Sequence, residues 1–313
     1  MKAEQDALFA WKALIEGRAV NRDAFQLIDG RIDIRGLVLP TASVESRIDL
    51  PVATLEKTRQ PVRIANAKWN SIDFTSSFIS NLKFEDCEFT NCVFDSCDCT
   101  NWGIWSSKLT ECSFVEAKLR GAVMGGLTNR RLRNEFVGVN FSSTDLRGSY
   151  WPAGKVFRCL FDGTKLDRVE FGSVEFVDCR FLGPLNSTIF YRTGFDGQEF
   201  PPNDLLNVDF SDATLSMVAF RGPSLVTTKF PNDSDHVVIE NLPRALATLI
   251  YLVKQQKSSG WRAVEAILMQ IDKWRGHFQK RYVLNMRDMQ EYVGQDGLRI
   301  FVDMLKQSQA KRR

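Results

Sequence analysis

A large apolar residue recurs at every fifth position through the middle of this chain, and no other feature restricts its fold as tightly. From Trp69 the series runs Phe74, Ile79, Phe84, Phe89, Phe94, Cys99, Ile104, Leu109, Phe114, Leu119 and Met124 without exception. In a chain that is 44% hydrophobic, such a run arises by chance on the order of once in ten thousand or fewer. The register slips by two residues and resumes at Phe136, passing Phe141, Leu146, Trp151, Val156, Phe161, Leu166, Phe171 and Phe176 to reach Phe181. It then loses one residue and continues through Phe190, Phe195, Phe200, Leu205, Phe210, Leu215, Phe220 and Leu225 to Phe230.

A period of five fits neither a helix near 3.6 nor a strand of 2. It requires a chain that turns a corner every five residues and sends one large side chain to a common axis each time. A second inward series lies two residues before the first: Cys87, Cys92, Cys97, Cys112, Ala117, Ala122, then Val139, Thr144, Cys159, Thr164, Val174, Cys179 and, later, Thr188, Val208, Ala213 and Thr228. The positions between are rich in Asp, Glu, Asn, Ser, Lys and Arg, which face water.

Units such as Ser211-Asp212-Ala213-Thr214-Leu215, Thr144-Asp145-Leu146-Arg147-Gly148 and Ala117-Lys118-Leu119-Arg120-Gly121 carry a small–polar–Leu/Phe–polar–polar pattern. In this the chain resembles the pentapeptide-repeat proteins, over about half its length. The resemblance implies a mainly β fold, a right-handed quadrilateral β-helix with four repeats per coil. Coils stack at the ordinary strand spacing of about 4.8 Å, and each central Phe or Leu contributes roughly 1.5–3 kcal/mol by burial.

The regions outside the repeats divide as follows. Residues 1–20 read as a short amphipathic capping helix, with Leu8, Trp11, Leu14 and Ile15 on one face and Gly17 as its stop. Residues 21–68 read as irregular first coils, ended once at Pro40 and degenerate between Val44 and Ile64. The repeat spans 69–230, interrupted by a loop at 125–134 and by a smaller kink at Gly183-Pro184-Leu185-Asn186. A linker follows at 231–240, and 241–313 reads as a basic α-helical domain. Asn241 and Pro243 open its first helix, Ser258-Ser259-Gly260 breaks it, Val264 to Phe278 stripe a second, and a last helix opens near Asp296.

Charge is uneven. The net charge is +3, yet 241–313 holds fourteen Lys and Arg against six Asp and Glu, leaving twenty-seven against thirty-two elsewhere. The loop carries Arg130, Arg131 and Arg133, and the helical end carries Arg275, Lys280, Arg281, Lys311, Arg312 and Arg313. These nine are the candidate partner-binding residues. Direct nucleic-acid binding by the basic end is compatible with its charge, but no finger, homeodomain or ribonucleoprotein signature accompanies it.

Catalytic and cofactor chemistry finds little here. Cys87, Cys92, Cys97 and Cys99 lack zinc-knuckle spacing and neighbouring histidines; the repeat frame accounts for them as small buried hydrophobes. The two histidines, His236 and His277, leave few nucleophile–base pairings. No Walker loop, dinucleotide fingerprint or HExxH occurs. The expectation is therefore no enzyme, no cofactor and no metal. No apolar run approaches the roughly 18 residues that cross a bilayer, the N-terminus lacks a signal core, and seven cysteines suit a reducing compartment, so the default location is the cytoplasm.

Two functions are expected. The first is an interaction scaffold, a rigid column whose basic helical end docks a protein partner or forms a homodimer through the C-terminal helices. The second follows from the resemblance alone: some pentapeptide-repeat proteins mimic B-form DNA, bind DNA gyrase and protect it, and immunity or phage-defence roles also occur around this fold. The mild −5 of the non-helical part sits poorly with a DNA mimic, which needs a dense anionic surface.

Overall fold

A computed structural model of the chain describes residues 2–16, 22–39, 62–125, 132–193, 203–256, 260–275 and 279–310. Gly17, Pro40, the degenerate stretch to residue 61, Arg130, Arg131, Phe195, Phe200, Ser258, Ser259, His277, Phe278 and the basic tip Lys311, Arg312 and Arg313 lie outside the described residues. No described helix is long and apolar enough to cross a membrane.

Successive coils lie beside one another as parallel ladders. Trp69 pairs with Phe89, Phe89 with Leu109, and Phe84 with Ile104. Each step is twenty residues, so four five-residue sides close one coil. Numbering the sides in chain order, face one carries Trp69, face two Phe74, face three Ile79 and face four Phe84. The fold is thus a four-sided β-solenoid, with helix α1 (Lys2–Ile15) before it and helices α2 (Leu242–Val253), α3 (Trp261–Trp274) and α4 (Met286–Ala310) after it.

The central residues fill the axis. On face two, Phe74, Phe94, Phe114, Phe141, Phe161, Phe181, Phe210 and Phe230 form one stack, with neighbouring centroids 4.5–6.1 Å apart and ring planes within 19° of parallel. Such pairs contribute about 0.5–1.5 kcal/mol each beyond area burial. Cys99 is the one small member of the central series on face three. Trp102 takes up the volume beside it, packing on Phe84 and Phe94 at 4.9 and 5.3 Å.

The second inward series does more than save space. Its polar members donate to the carbonyl of a central residue one coil below. Cys97 Sγ reaches Phe74 O at 2.8 Å, Thr164 Oγ1 reaches Phe141 O at 2.7 Å, and Thr228 Oγ1 reaches Leu205 O at 3.0 Å. Trp102 Nε1 makes the same bond to Ile79 O at 2.6 Å. Burial pushes the thiols of Cys87, Cys92, Cys99 and Cys159 up, which keeps them neutral. Cysteine here is a small residue that still supplies a donor.

Most corners turn at the residue two after the central one, which takes a left-handed conformation. Asn81 (φ 62°), Asn91 (φ 52°), Ser96 (φ 54°) and Gly163 (φ 59°) follow that rule. Asn, Asp and Gly tolerate it best. Arg158, Arg168 and Met217 do so as well, at a cost of about 1–2 kcal/mol apiece.

Three departures from the twenty-residue step modify the column. Ile32 pairs with Ile72, forty residues on, and residues 40–61 of that span lie outside the described residues. Leu109 pairs with Phe136, twenty-seven on. Phe190 pairs with Phe220, thirty on. Phe195 and Phe200, counted from the sequence as central residues, lie outside the described residues. Leu206 N bonds Phe176 O and Val177 bridges Leu206, so Leu205 succeeds Phe176 on face one. The expected break at Gly183-Pro184-Leu185-Asn186 is where one residue is lost: Gly183 (φ 75°) turns the corner, and Phe181 and Leu185 stand level with Phe210 and Leu215. Arg180–Asn186 runs as one strand from face two to face three, with Leu185 pairing Leu215. One residue fewer simply brings the central side chain round early.

The ends are closed differently. At the start, Trp11 of α1 packs edge-on to Trp69 at 6.0 Å, and Trp69 Nε1 bonds Leu14 O at 3.4 Å. At the other end, the span 231–240, taken from sequence as a linker, contains the strand His236–Ile239, which pairs antiparallel with Tyr282–Asn285. Tyr282 is half-buried there, and the desolvation pushes its hydroxyl up to about 12. Helix α2 begins as expected, with Asn241 Oδ1 accepting Arg244 N at 3.2 Å. The span α4 is two helical segments joined across a break at Gly294 (φ 69°), and the second opens beside Asp296 as expected.

Candidate interaction surface

The helical end is first of all a lid on the last coil. That coil has no successor, so its outward N–H and C=O groups would remain unpaired. Side chains take the place of the missing strand. His236 Nε2 accepts Leu215 N at 3.3 Å while its Nδ1 faces Asp233 at 2.8 Å. Asp288 Oδ2 accepts Met217 N at 2.6 Å. Gln279 accepts Gly222 N at 3.2 Å and donates to Phe220 O at 3.0 Å. Arg281 Nη1 donates to the carbonyls of Leu225, Val226 and Thr228 at 2.9–3.1 Å while its other nitrogens hold Glu240.

This settles where several sequence candidates go. Arg281 is a structural cap with its side chain 19% exposed. Arg275 ends α3 paired to Asp272 at 2.7 Å. Arg133, expected on a projecting loop, folds back and pairs with Glu175 at 3.4 Å, its side chain only 10% exposed. Lys280 is exposed. The remaining five candidates lie outside the described residues. Trp274, expected on the buried stripe of α3, instead faces out and stacks on Arg221 at 4.5 Å, with Tyr191 on that guanidinium at 5.0 Å.

Two later excursions, of which the sequence pattern singled out the first, meet elsewhere, at the edge between face four and face one. Both later departures in length occur there, after Met124 and after Phe190, three coils apart. Gly125 opens the first because a Cβ would sit 2.2 Å from Ala153 O. The second is closed at its base by Asn203 N on Arg192 O at 2.7 Å and by Arg192 on Asp204 at 3.2 Å. Between them, strands Tyr150–Phe157 and Glu170–Val177 run unbroken across the edge. Among the described residues, the buried side-chain atoms without a hydrogen-bond partner are Arg133 Nη1, Ser173 Oγ and Asn203 Oδ1, all on this edge.

Face one itself presents two parallel rows outward. One row alternates in sign: Lys68, Glu88, Lys108, Glu135, Lys155, Glu175, then Asp204. Its contacts include Lys68–Glu88 at 3.1 Å and Lys155–Glu135 at 2.9 Å. The other row is apolar over its later coils: Val137, Phe157 and Val177 half-buried, Leu206 42% and Val226 55% exposed. An exposed apolar row rimmed by charge has the anatomy of a binding surface. No group of three His, Cys, Asp or Glu placed to hold a metal occurs among the described residues.

No protein-family model matches the sequence. No curated protein matches it either. Among solved structures, QnrB1, a plasmid-mediated fluoroquinolone resistance protein, is 16% identical, with 64% of this chain and 85% of that one covered and a TM-score of 0.32. HetL, a pentapeptide-repeat protein involved in heterocyst differentiation regulation in the cyanobacterium Nostoc sp. strain PCC 7120, is 13% identical, with 64% and 86% covered and a TM-score of 0.24. At such identities and scores, the fold assignment stands on the repeat geometry itself.

Proposed function

We propose, from the premise that this chain is a pentapeptide-repeat β-solenoid closed by a helical C-terminal region, that it is a non-enzymatic scaffold binding protein along face one and the edge beside it. One observation carries this: both later length excursions leave the same edge and bracket the face that exposes an apolar row. Loops on a rigid framework commonly carry recognition. The described histidine supports a non-catalytic reading, because both ring nitrogens of His236 are engaged in closing the column. Photo-cross-linking from Leu206 or Val226, compared with Thr100 on face three, tests it in the native host. Protein adducts from face one alone are expected; equal or absent adducts from both sites overturn it.

Docking or dimerisation through the basic helical end is a second reading, favoured by Tyr251 and Met269, 63% and 50% exposed on α2 and α3. A DNA-mimic acting on gyrase draws less support, since the face-one row is zwitterionic rather than anionic. A supercoiling assay with quinolone at stoichiometric excess of the protein decides that case, with no protection expected.

A further inference from the structure

We infer that the occupant of face one is a second copy of this chain, laid antiparallel against the first; the inference rests on the docking face proposed above. The apolar row of Val137, Phe157, Val177, Leu206 and Val226 repeats at the coil rise of about 4.8 Å. A helix laid along it offers one turn per 5.4 Å or so and drifts about 2.4 Å over four steps. An extended strand offers a same-side residue every ~6.6 Å and drifts faster. Another column has the same rise and stays in register throughout.

The neighbouring charges fit the same arrangement. A two-fold axis crossing face one midway between the levels of Lys155 and Glu175 places Lys155 of each copy against Glu175 of the other. It also places Phe157 against Val177 and Val137 against Leu206. Glu135 and Asp204 meet across this axis as like charges, but each is already held by its own chain, Glu135 by Lys155 at 2.9 Å and Lys108 at 3.9 Å, and Asp204 by Arg192 at 3.2 Å. An isologous contact of this kind closes on itself and leaves no open surface to propagate. The row spans only about 20 Å, so the interface is at the small end of the range and the dimer is weak, in equilibrium with monomer.

Sedimentation equilibrium of the full chain tests this. A monomer–dimer equilibrium with a Kd of about 1–100 μM is expected. Leu206→Asp, at an exposed site, weakens it about tenfold or more. Lys155→Glu and Glu175→Lys each weaken it about three- to tenfold, and the combined swap returns it to within about twofold. Three results overturn the inference: a monomer up to roughly ten times that Kd, a dimer indifferent to Leu206→Asp, or a swap that fails to restore association. A dimer lost in Met269→Arg but kept in Leu206→Asp overturns it in favour of the helical end. If the chain is monomeric yet Leu206 cross-links a different protein, self-association falls while the scaffold reading stands.

Discussion

The interior coils and the last coil meet the same requirement by different means. Inside the column, most backbone groups find their partner in the equivalent backbone one coil away, as when Phe74 N bonds Val93 O at 2.8 Å and Phe94 N bonds Ser113 O at 2.7 Å. At the last coil no such backbone exists, and His236, Gln279, Arg281, Asn285 and Asp288 each satisfy specific groups. The column is therefore tolerant: it absorbs a seven-residue and a ten-residue excursion at one edge while the phenylalanine stack of face two continues past both. The cap has no such latitude, because each of its bonds depends on one side chain in one place.

The largest expected effect probes the column. Phe161→Asp buries a charge without a partner and abolishes cooperative unfolding by circular dichroism. A folded Phe161→Asp protein would mean that the axis is not a packed core. Next comes the cap. Arg281→Ala strips three carbonyls of a charged donor and costs about 1.5–3 kcal/mol. Hydrogen exchange then accelerates at residues 215–228 and not at 74–114; uniform acceleration would deny that the cap acts locally.

Acid separates the two regions by sign. Burial raises Asp145 in the column, but the hydrogen bond and charge of Arg147, with Arg120, outweigh it and hold the carboxyl below its ordinary value. Its contribution is present above the ordinary carboxylate pKa and is lost as pH falls through the lowered one. Burial holds Asp288 in the cap above its ordinary value, despite Met217 N and Ser216. Its ionised form is thus a burden at neutral pH that lifts as pH falls. Asp145→Asn should cost about 0.5–1 kcal/mol at pH 7, allowing for screening, and remove part of the acid sensitivity. Asp288→Asn should cost less at pH 7. Unfolding measured from pH 7 to 3 gives both, and the reverse order would refute the contrast. Smaller still, Arg168→Gly relieves a left-handed corner (φ 61°) and raises stability by about 0.5–1 kcal/mol. Asp162→Ala, outward beside Phe161, stays within about 0.5 kcal/mol of the parent.

How much was legible depends on whether a feature disturbs the period. The seven-residue excursion and the single-residue loss both shift the count of five, so they are visible between Met124 and Phe136 and between Phe181 and Phe190. The ten-residue excursion between Phe190 and Leu205 is a multiple of five and leaves the count undisturbed. The forty-residue step from Ile32 to Ile72 also keeps the count, but there the degenerate stretch from Val44 to Ile64 shows it. The corner rule was legible only as polarity, since Asn, Ser and Asp serve equally as solvated residues and as left-handed ones. Arg281 and Arg133 read as free surface charge because nothing in a sequence tells whether a cation has found its partner. That both excursions share the edge between faces four and one carried no sequence signal, since it gathers residues from 125 to 204.

The sequence by itself determined the rod: a side chain of fixed size, returning every five residues, leaves a chain one way to bury it. Only the tertiary structure decided which polar groups close the rod and which stay available. Burial follows from local period, whereas the pairing of a charge depends on what distant residues the folded coils bring beside it.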